Sequence, residues 1–468
     1  MIKSYHLFLL SVAFAYFFFP MELGANVFAF DALLIVFLLR QRPTLGRRAL
    51  FVCTVAGLLA SAVSVVIVHG RASILAHHIS LLLLLGYAQR RELRFVGYAA
   101  LLGLLSLACG PMRFLRRIGR STQFLPVVRT SGRWIGPAAV AAGVSVPFLV
   151  LYGAGNAAWG ETLQEVFGRY LPFIFHVTAL EFVGMMVLGL ALTVPFFLTG
   201  DEGGLLGYDA ALSDELLRQR KKRLSLISPL ALPRAYRRGL VTFGLLNCIL
   251  FAVNLTDLRF GWWSPAGLSA AALSSYLHEG TYSLILSICL AMVMVLYYFR
   301  GNLNFYGPAT PLRRMTYLWL GQNAFLAFSV ALRNYHYVRE YGLATGRVQV
   351  GFVLVLMLVG LYTLYRKVRY RRSLTYLLQV NGLAAWLFLI AYGAVNWSGV
   401  ITRVNLQSAP ERIDWQYLVH GLDDRNAFLL QASYDRIPAQ FQRNVKTSRM
   451  KIPRYDWRSW NYADWRNR

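Results

Sequence analysis

A chain of 468 residues that is 57% hydrophobic, 14% aromatic and 15% charged, with mean hydropathy +0.46, is too apolar for ordinary globular domains, where roughly a quarter of residues are charged. Its formal charge of +27 sits in short Arg and Lys clusters between apolar runs, the pattern of the positive-inside rule and not of a nucleic-acid surface. The lipid bilayer is therefore the expected solvent and partner, and no nucleic-acid partner is expected.

The first apolar run, Leu7 to Phe19, follows Lys3 and lacks a convincing small-x-small cleavage site, so it reads as an uncleaved first span. Met21 to Leu39 forms the second and ends in Arg40, Arg42, Arg47 and Arg48. Ala49 to Val68 and Ser73 to Ala88 follow, each near the roughly 20 residues that a span takes. Phe95 to Cys109 is short and has arginines on both flanks (Arg90, Arg91 and Arg94 before; Arg113, Arg116, Arg117 and Arg120 after), which predicts a re-entrant or interfacial segment.

The later runs alternate: Trp134 to Ala154, Leu171 to Thr199, Leu240 to Leu255, Leu268 to Phe299, Met315 to Leu332, Val348 to Tyr365 and Leu374 to Trp397. The arginine clusters between them place alternate ends in the cytoplasm. The expected fold is an all-α, polytopic transmembrane bundle of about eleven spans plus one short segment, with a cytoplasmic N-terminus. Its expected organisation is an N-terminal helical region (1–133), central spans with a basic cytoplasmic loop (134–238), a membrane core (239–397) and a polar extracytoplasmic tail (398–468). An inner-membrane location fits that arrangement.

Two stretches outside the runs carry further expectations. Leu205, Leu212, Leu216 and Leu217 fall on a helical pattern that runs into RQRKKR, suited either to an anionic cytoplasmic leaflet or to an ordinary basic loop. Anionic lipids are thus the expected contacts of the basic loops, while a protein partner is not identified. The closing RYDWRSWNYADWRNR interleaves Arg with Trp457, Trp460 and Trp465, which suits a membrane interface or docking against extracellular loops. All four cysteines (Cys53, Cys109, Cys248, Cys289) lie in apolar runs without CxxC spacing, so they read as small core residues, and no cofactor or metal is expected.

Polar side chains inside apolar helices mark the candidate site, because each is costly unless paired, hydrated or neutral. Asp31 and Glu181 lie near the middle of their runs, with His77, His78 and His176 as possible partners. Gln322, Ser329, Arg333, His336 and Glu340 return to one narrow helical face at spacings of seven, four, three and four, with Asn323 beside them. That stripe either lines a wet pathway or supplies interhelical hydrogen bonds and headgroup anchors. His336 and Glu340 are also an i, i+4 pair able to share a proton or form a salt bridge. His278, Glu279 and Tyr282 cluster at the outer end of another run. HEGTY opens like the zinc-protease HExxH, but Tyr282 stands where the second histidine is required, so that chemistry fails.

The segments HEGTYSLILSI with FRGN, LWLGQNAFLAFSVALRNYHYVREYGL, NGLAAWLFLIAYGAVNW and DWRSWNYADWRNR resemble the bacterial domain-of-unknown-function family numbered 4173, related to family 4153. The resemblance extends from Leu240 to Arg468, with a weaker echo at GANVFAF. It implies a bacterial inner-membrane protein and marks His278, Gly280, Tyr282, Gln322, Asn323, Arg333, Asn334, Tyr341, Gly342, Asn381, Asn396 and Trp397 without assigning them a reaction. Ser398 departs from the acidic residue expected after Asn396 and Trp397. Two functions fit these features: a transporter or permease with a polar intramembrane path, or a non-transporting scaffold or sensor. No nucleophile elbow, paired metal motif or phosphate loop points to an enzyme.

Overall fold

The computed structural model describes residues 4–90, 93–122, 177–199, 205–216, 231–259, 270–299, 301–409, 412–449 and 456–467, with the single residues 159, 161 and 218. The expected span from Trp134 to Ala154, His176 and the RQRKKR run lie outside that set, except Arg218. Among the described residues the regular elements are helical, as a lipid-embedded chain requires, because only a helix satisfies its own backbone without water or a neighbouring strand. Among the described residues, six helices are long and apolar enough to cross a membrane: Ala49–Val68, Arg71–Gln89, Val96–Arg117, Leu232–Asp257, Thr345–Tyr370 and Leu374–Gly393. Shorter apolar helices cover His6–Phe18, Glu181–Phe197 and Tyr282–Tyr298.

The chain divides into two compact units. The first holds α1 (Ser4–Phe18), α2 (Ala25–Gln41), α3 (Ala49–Val68), α4 (Arg71–Gln89), most of α5 (Val96–Thr122) and α6 (Val177–Phe197). α3 packs on both α2 and α4, while α1 packs along α6. The buried face of α3 is rich in small residues, Gly57, Ser61, Ala62 and Ser64, which let its neighbours approach closely. Hydroxyls on these faces bond back to their own helix, Ser61 to the Leu58 carbonyl at 2.8 Å and Ser80 to that of Ala76 at 2.7 Å, so their burial leaves no donor unpaired.

α5 differs from the short segment expected. It continues through Pro111 to Thr122 and includes a 22-residue stretch, Val96–Arg117, long and apolar enough to cross. At the ends of α4 and α6, Arg42 donates to the carbonyls of Ala88 at 2.8 Å and Phe197 at 2.7 Å. A guanidinium there meets both the unsatisfied carbonyls and the negative end of each helix dipole.

The closing DWRSW segment belongs to this unit and clasps the turn between α1 and α2. The Ala25 amide donates to the Trp460 carbonyl at 2.9 Å, Trp457 stacks edge-on against Phe17, and Arg458 lies 4.9 Å over the Tyr16 ring. Gly24 makes this contact possible, since a Cβ there would fall 2.5 Å from the Ser459 carbonyl carbon. Buried Asn26 fixes the same turn, donating to the carbonyls of Phe17 and Glu22 and accepting from the Gly24 amide.

The second unit contains α8 (Ala231–Asp257), α9 (Ala270–Tyr298), α10 (Thr310–Tyr341), α11 (Thr345–Tyr370) and α12 (Leu374–Gly393); the short α7 (Leu205–Ala211) precedes them in the chain. α10 is the centre, packing on α8, α9 and α11 around Phe243, Trp319, Leu326, Val330 and Leu361. The opposite faces are apolar and exposed, with Leu245 and Phe251 on α8 and Leu286 and Leu290 on α9, as helices bordered by lipid require. The cysteines lie on such exposed faces and not in the core, a correction to the expectation for them.

The helical pattern expected through Leu212 and Leu216 stops at Ala211. Residues 214–216 pair instead with 371–373: the Leu216 amide donates to the Arg371 carbonyl at 2.8 Å and the Ser373 amide to that of Asp214 at 2.9 Å. Residues after α12 have a small core of their own. Ile401 of α13 (Trp397–Asn405), Trp415, Leu418, Leu430 of α14 (Ala427–Ala432) and Val445 of α15 (Ala439–Arg449) form it, so the tail has folded helical structure. Gly342 joins this part to α10 with φ +77°, the left-handed region that glycine enters without penalty, and Asn405 holds Leu343 at both its amide and its carbonyl.

Candidate functional site

In the first unit the structure brings together two residues 46 positions apart. His77 Nε2 lies 2.8 Å from Asp31 Oδ2, and both residues are buried, at 7% and 2% exposed. Each is the seventh residue of its helix, about 9 Å along the axis from the N-terminal end at 1.5 Å per residue. α2 and α4 both pack on α3, so equal depth in the two helices aligns the side chains. A buried carboxylate and imidazole in contact can exist as an ion pair or as a neutral pair, the two differing by where one proton resides.

His78 is exposed and its Nδ1–H donates to the Ile74 carbonyl at 2.7 Å, with its ring 5.4 Å from that of His77. Glu181 stands on an exposed face in the second turn of α6. His278 and Glu279 fall within α9, but their side chains lie outside the described residues; Tyr282 is exposed.

A second polar cluster joins α8 to α10. Ser329 donates to Asp257 Oδ2 at 2.9 Å and Arg333 to Asp257 Oδ1, all three residues being buried. Gln322 Nε2 donates to Asn247 Oδ1 at 3.0 Å, and Asn254 Nδ2 to the Gln322 carbonyl at 3.2 Å. Asn247 itself donates to the carbonyls of Phe243 and Met315. Those carbonyl partners fix how each amide faces, since a carbonyl accepts only from the NH₂ end. Among the described residues, the side-chain oxygens Asn254 Oδ1 and Gln322 Oε1 are buried and meet no donor, whereas the Gln322 carbonyl that accepts from Asn254 belongs to the backbone.

The α8 half of this cluster escaped the sequence reading. Asn247, Asn254 and Asp257 repeat at seven and three, the same single-face arithmetic that linked Gln322, Ser329 and Arg333. Ending the run at Leu255 put Asp257 outside the span, whereas α8 continues to Asp257 itself.

Asn323 bonds back to the Trp319 carbonyl at 2.8 Å within α10. His336 is half-buried against Tyr335 and Glu340 is exposed, and no hydrogen bond or ion pair joins these two described residues. Other residues marked by the family resemblance tie elements together. Asn381 donates to Thr363 at 2.9 Å between α11 and α12, and Asn396 caps α13 while donating to the Arg425 carbonyl at 3.0 Å. Among the described residues no three His, Cys, Asp or Glu side chains converge as metal ligands.

A family model described as Domain of unknown function (DUF4153) matches residues 7–430. The chain belongs to that family. The match takes in both the Asp31–His77 pair and the Asp257–Arg333 pair, so each lies within the family's own region of this DUF4153 protein. A search of the curated proteins and a search of the solved structures each found no match.

Proposed function

We propose that this chain is an integral protein of a bacterial inner membrane that works as a permease-like transporter, with Asp31 and His77 as an internal proton-binding site. The observation that supports this is the 2.8 Å contact between a buried carboxylate on α2 and a buried imidazole on α4, two helices that both pack on the apolar α3. Histidine is the side chain whose ordinary titration falls at physiological pH, and moving one proton on or off such a pair changes the charge held in a low-dielectric interior. About eleven spans, a cytoplasmic N-terminus and an extracytoplasmic tail are the arrangement that fits the arginine clusters. The segments HEGTY and LGQNAF resemble the related family numbered 4173.

The second reading, a non-transporting scaffold or sensor, draws on the α8–α10 contact. Gln322, Ser329 and Arg333 all bond to side chains of α8, which is what interhelical attachment requires. A single assay separates the readings. Purified protein in vesicles holding a trapped pH-sensitive dye should collapse an imposed proton gradient faster than empty vesicles, and Asp31→Asn should remove most of that difference. Native vesicles that leak no faster than empty ones would favour the scaffold.

A further inference from the structure

The C-terminal end of α11 carries a cluster of cations that the α8–α10 chemistry does not use. Arg366, Lys367, Arg369, Arg371 and Arg372 crowd into one turn and its exit. Lys367 is buried and its ammonium reaches the chain just past the helix, donating to the Arg372 carbonyl at 2.8 Å. The four arginines lie on aromatic rings: Arg366 is 5.0 Å over Tyr370, Arg369 5.7 Å over Tyr365, Arg371 5.3 Å over Phe305 and Arg372 5.5 Å over Tyr376. The carboxylate that meets this cluster, Glu215, is largely exposed and 3.8 Å from Arg372, so it offsets little of the charge.

Two further features set this end apart from an ordinary basic loop. Among the described residues, the buried Nε–H groups of Arg366 and Arg372 meet no acceptor. The residue that ends α11 is Arg371 at φ +51°, a left-handed position where glycine is the unstrained choice and an L side chain is disfavoured. The helix dipole accounts for cations at a C-terminus, but it does not supply acceptors for these N–H groups. The pairing of residues 214–216 with 371–373 holds the turn in place, so the cations are arranged before any ligand arrives.

We propose that this turn holds the phosphate of an anionic phospholipid, gripped by Arg366, Arg369, Arg371 and Arg372 above their aromatic supports. Planar guanidinium forks match phosphate oxygens, and rings stacked beneath them match the boundary between headgroup and acyl chain. Charge complementarity selects phosphatidylglycerol or cardiolipin over zwitterionic phosphatidylcholine. The proposal rests on reading this end of α11 as the cytoplasmic membrane interface, and not on proton movement.

The test is lipid binding by the full-length protein in detergent, measured by native mass spectrometry and by thermal melting with added phosphatidylglycerol, phosphatidylcholine or inorganic phosphate. Phosphatidylglycerol should bind and raise the melting temperature where phosphatidylcholine does not. Removing one arginine should weaken it about fivefold, and Arg369→Gln with Arg371→Gln about twentyfold or more. Arg371→Gly serves as a folding control, because it relieves the backbone and should melt no lower than the native protein without lipid, yet bind phosphatidylglycerol more weakly. Equal binding of the two lipids, unchanged affinity in the double variant, or the same stabilisation by inorganic phosphate alone would overturn the assignment to a phospholipid.

Discussion

Arg333 and Asp257 show how strongly one polar residue depends on its partner inside a membrane bundle. Both are buried, so their attraction offsets a desolvation cost that neither bears alone. Arg333→Ala is expected to lower stability by roughly 3 to 5 kcal/mol, because it leaves the Asp257 carboxylate buried beside Ser329 with no adjacent cation. Ser329→Ala, which removes the hydrogen bond to Asp257, should cost about 1 to 3 kcal/mol. Thermal melting in detergent ranks the two; an Arg333→Ala protein that melts with the native one would show that Asp257 reaches water. At this scale the sequence exposed Asp31 and its possible histidine partners, but choosing His77 needed the common packing of α2 and α4 on α3. Asp257 was hidden for a different reason: hydropathy ends a run where charge begins, while a helix continues as long as its polar end finds a partner.

Helix existence was legible and helix length was not. α10 reaches from Thr310 to Tyr341 although its apolar run covers only Met315 to Leu332, because α8 satisfies its polar face and the turn at Gly342 stops it. α5 likewise outlasts its apolar run. The C-terminal strap illustrates a contact that periodicity cannot reveal, since its anchor is a short 3-10 turn, Trp457–Ser459, against a loop more than 430 residues earlier in the chain. Hydrogen bonds from Arg458, first from its side chain and then from its backbone amide, hold the Asp456 carboxyl below the usual carboxylate range. A depressed folded value means that the stabilising contribution is present above the unfolded value of about 3.9 and is lost as pH falls through the folded one. Protection of residues 456–463 against hydrogen exchange, taken relative to the intrinsic rate at each pH, should therefore fall in acid below about pH 4. Asp456→Asn should exchange faster at neutral pH and lose that acid dependence; an acid response that persists in the variant would assign it to another group.

For the whole molecule, the sequence distinguished the class more readily than the arrangement. A low fraction of charged residues, long apolar runs and arginine clusters are additive properties that survive without knowledge of any contact, and they point to an all-helical membrane protein. The grouping of helices around α3 and α10, the folded tail and the docking of its end depend on pairs of residues far apart in sequence. The same division governs function: buried polar residues announce a site, but only pairing shows which proton or ion each can hold.

The central claim is that Asp31 and His77 exchange a proton inside the bilayer, and the carboxyl infrared signal of Asp31 tests it most directly. Reconstituted protein titrated across about pH 5 to 8, where an imidazole ordinarily changes charge, should show a carboxyl band that appears and disappears with pH. That band should be missing in Asp31→Asn and should titrate at a different pH in His77→Gln. Difference spectra that are the same for the native protein and Asp31→Asn would contradict the account.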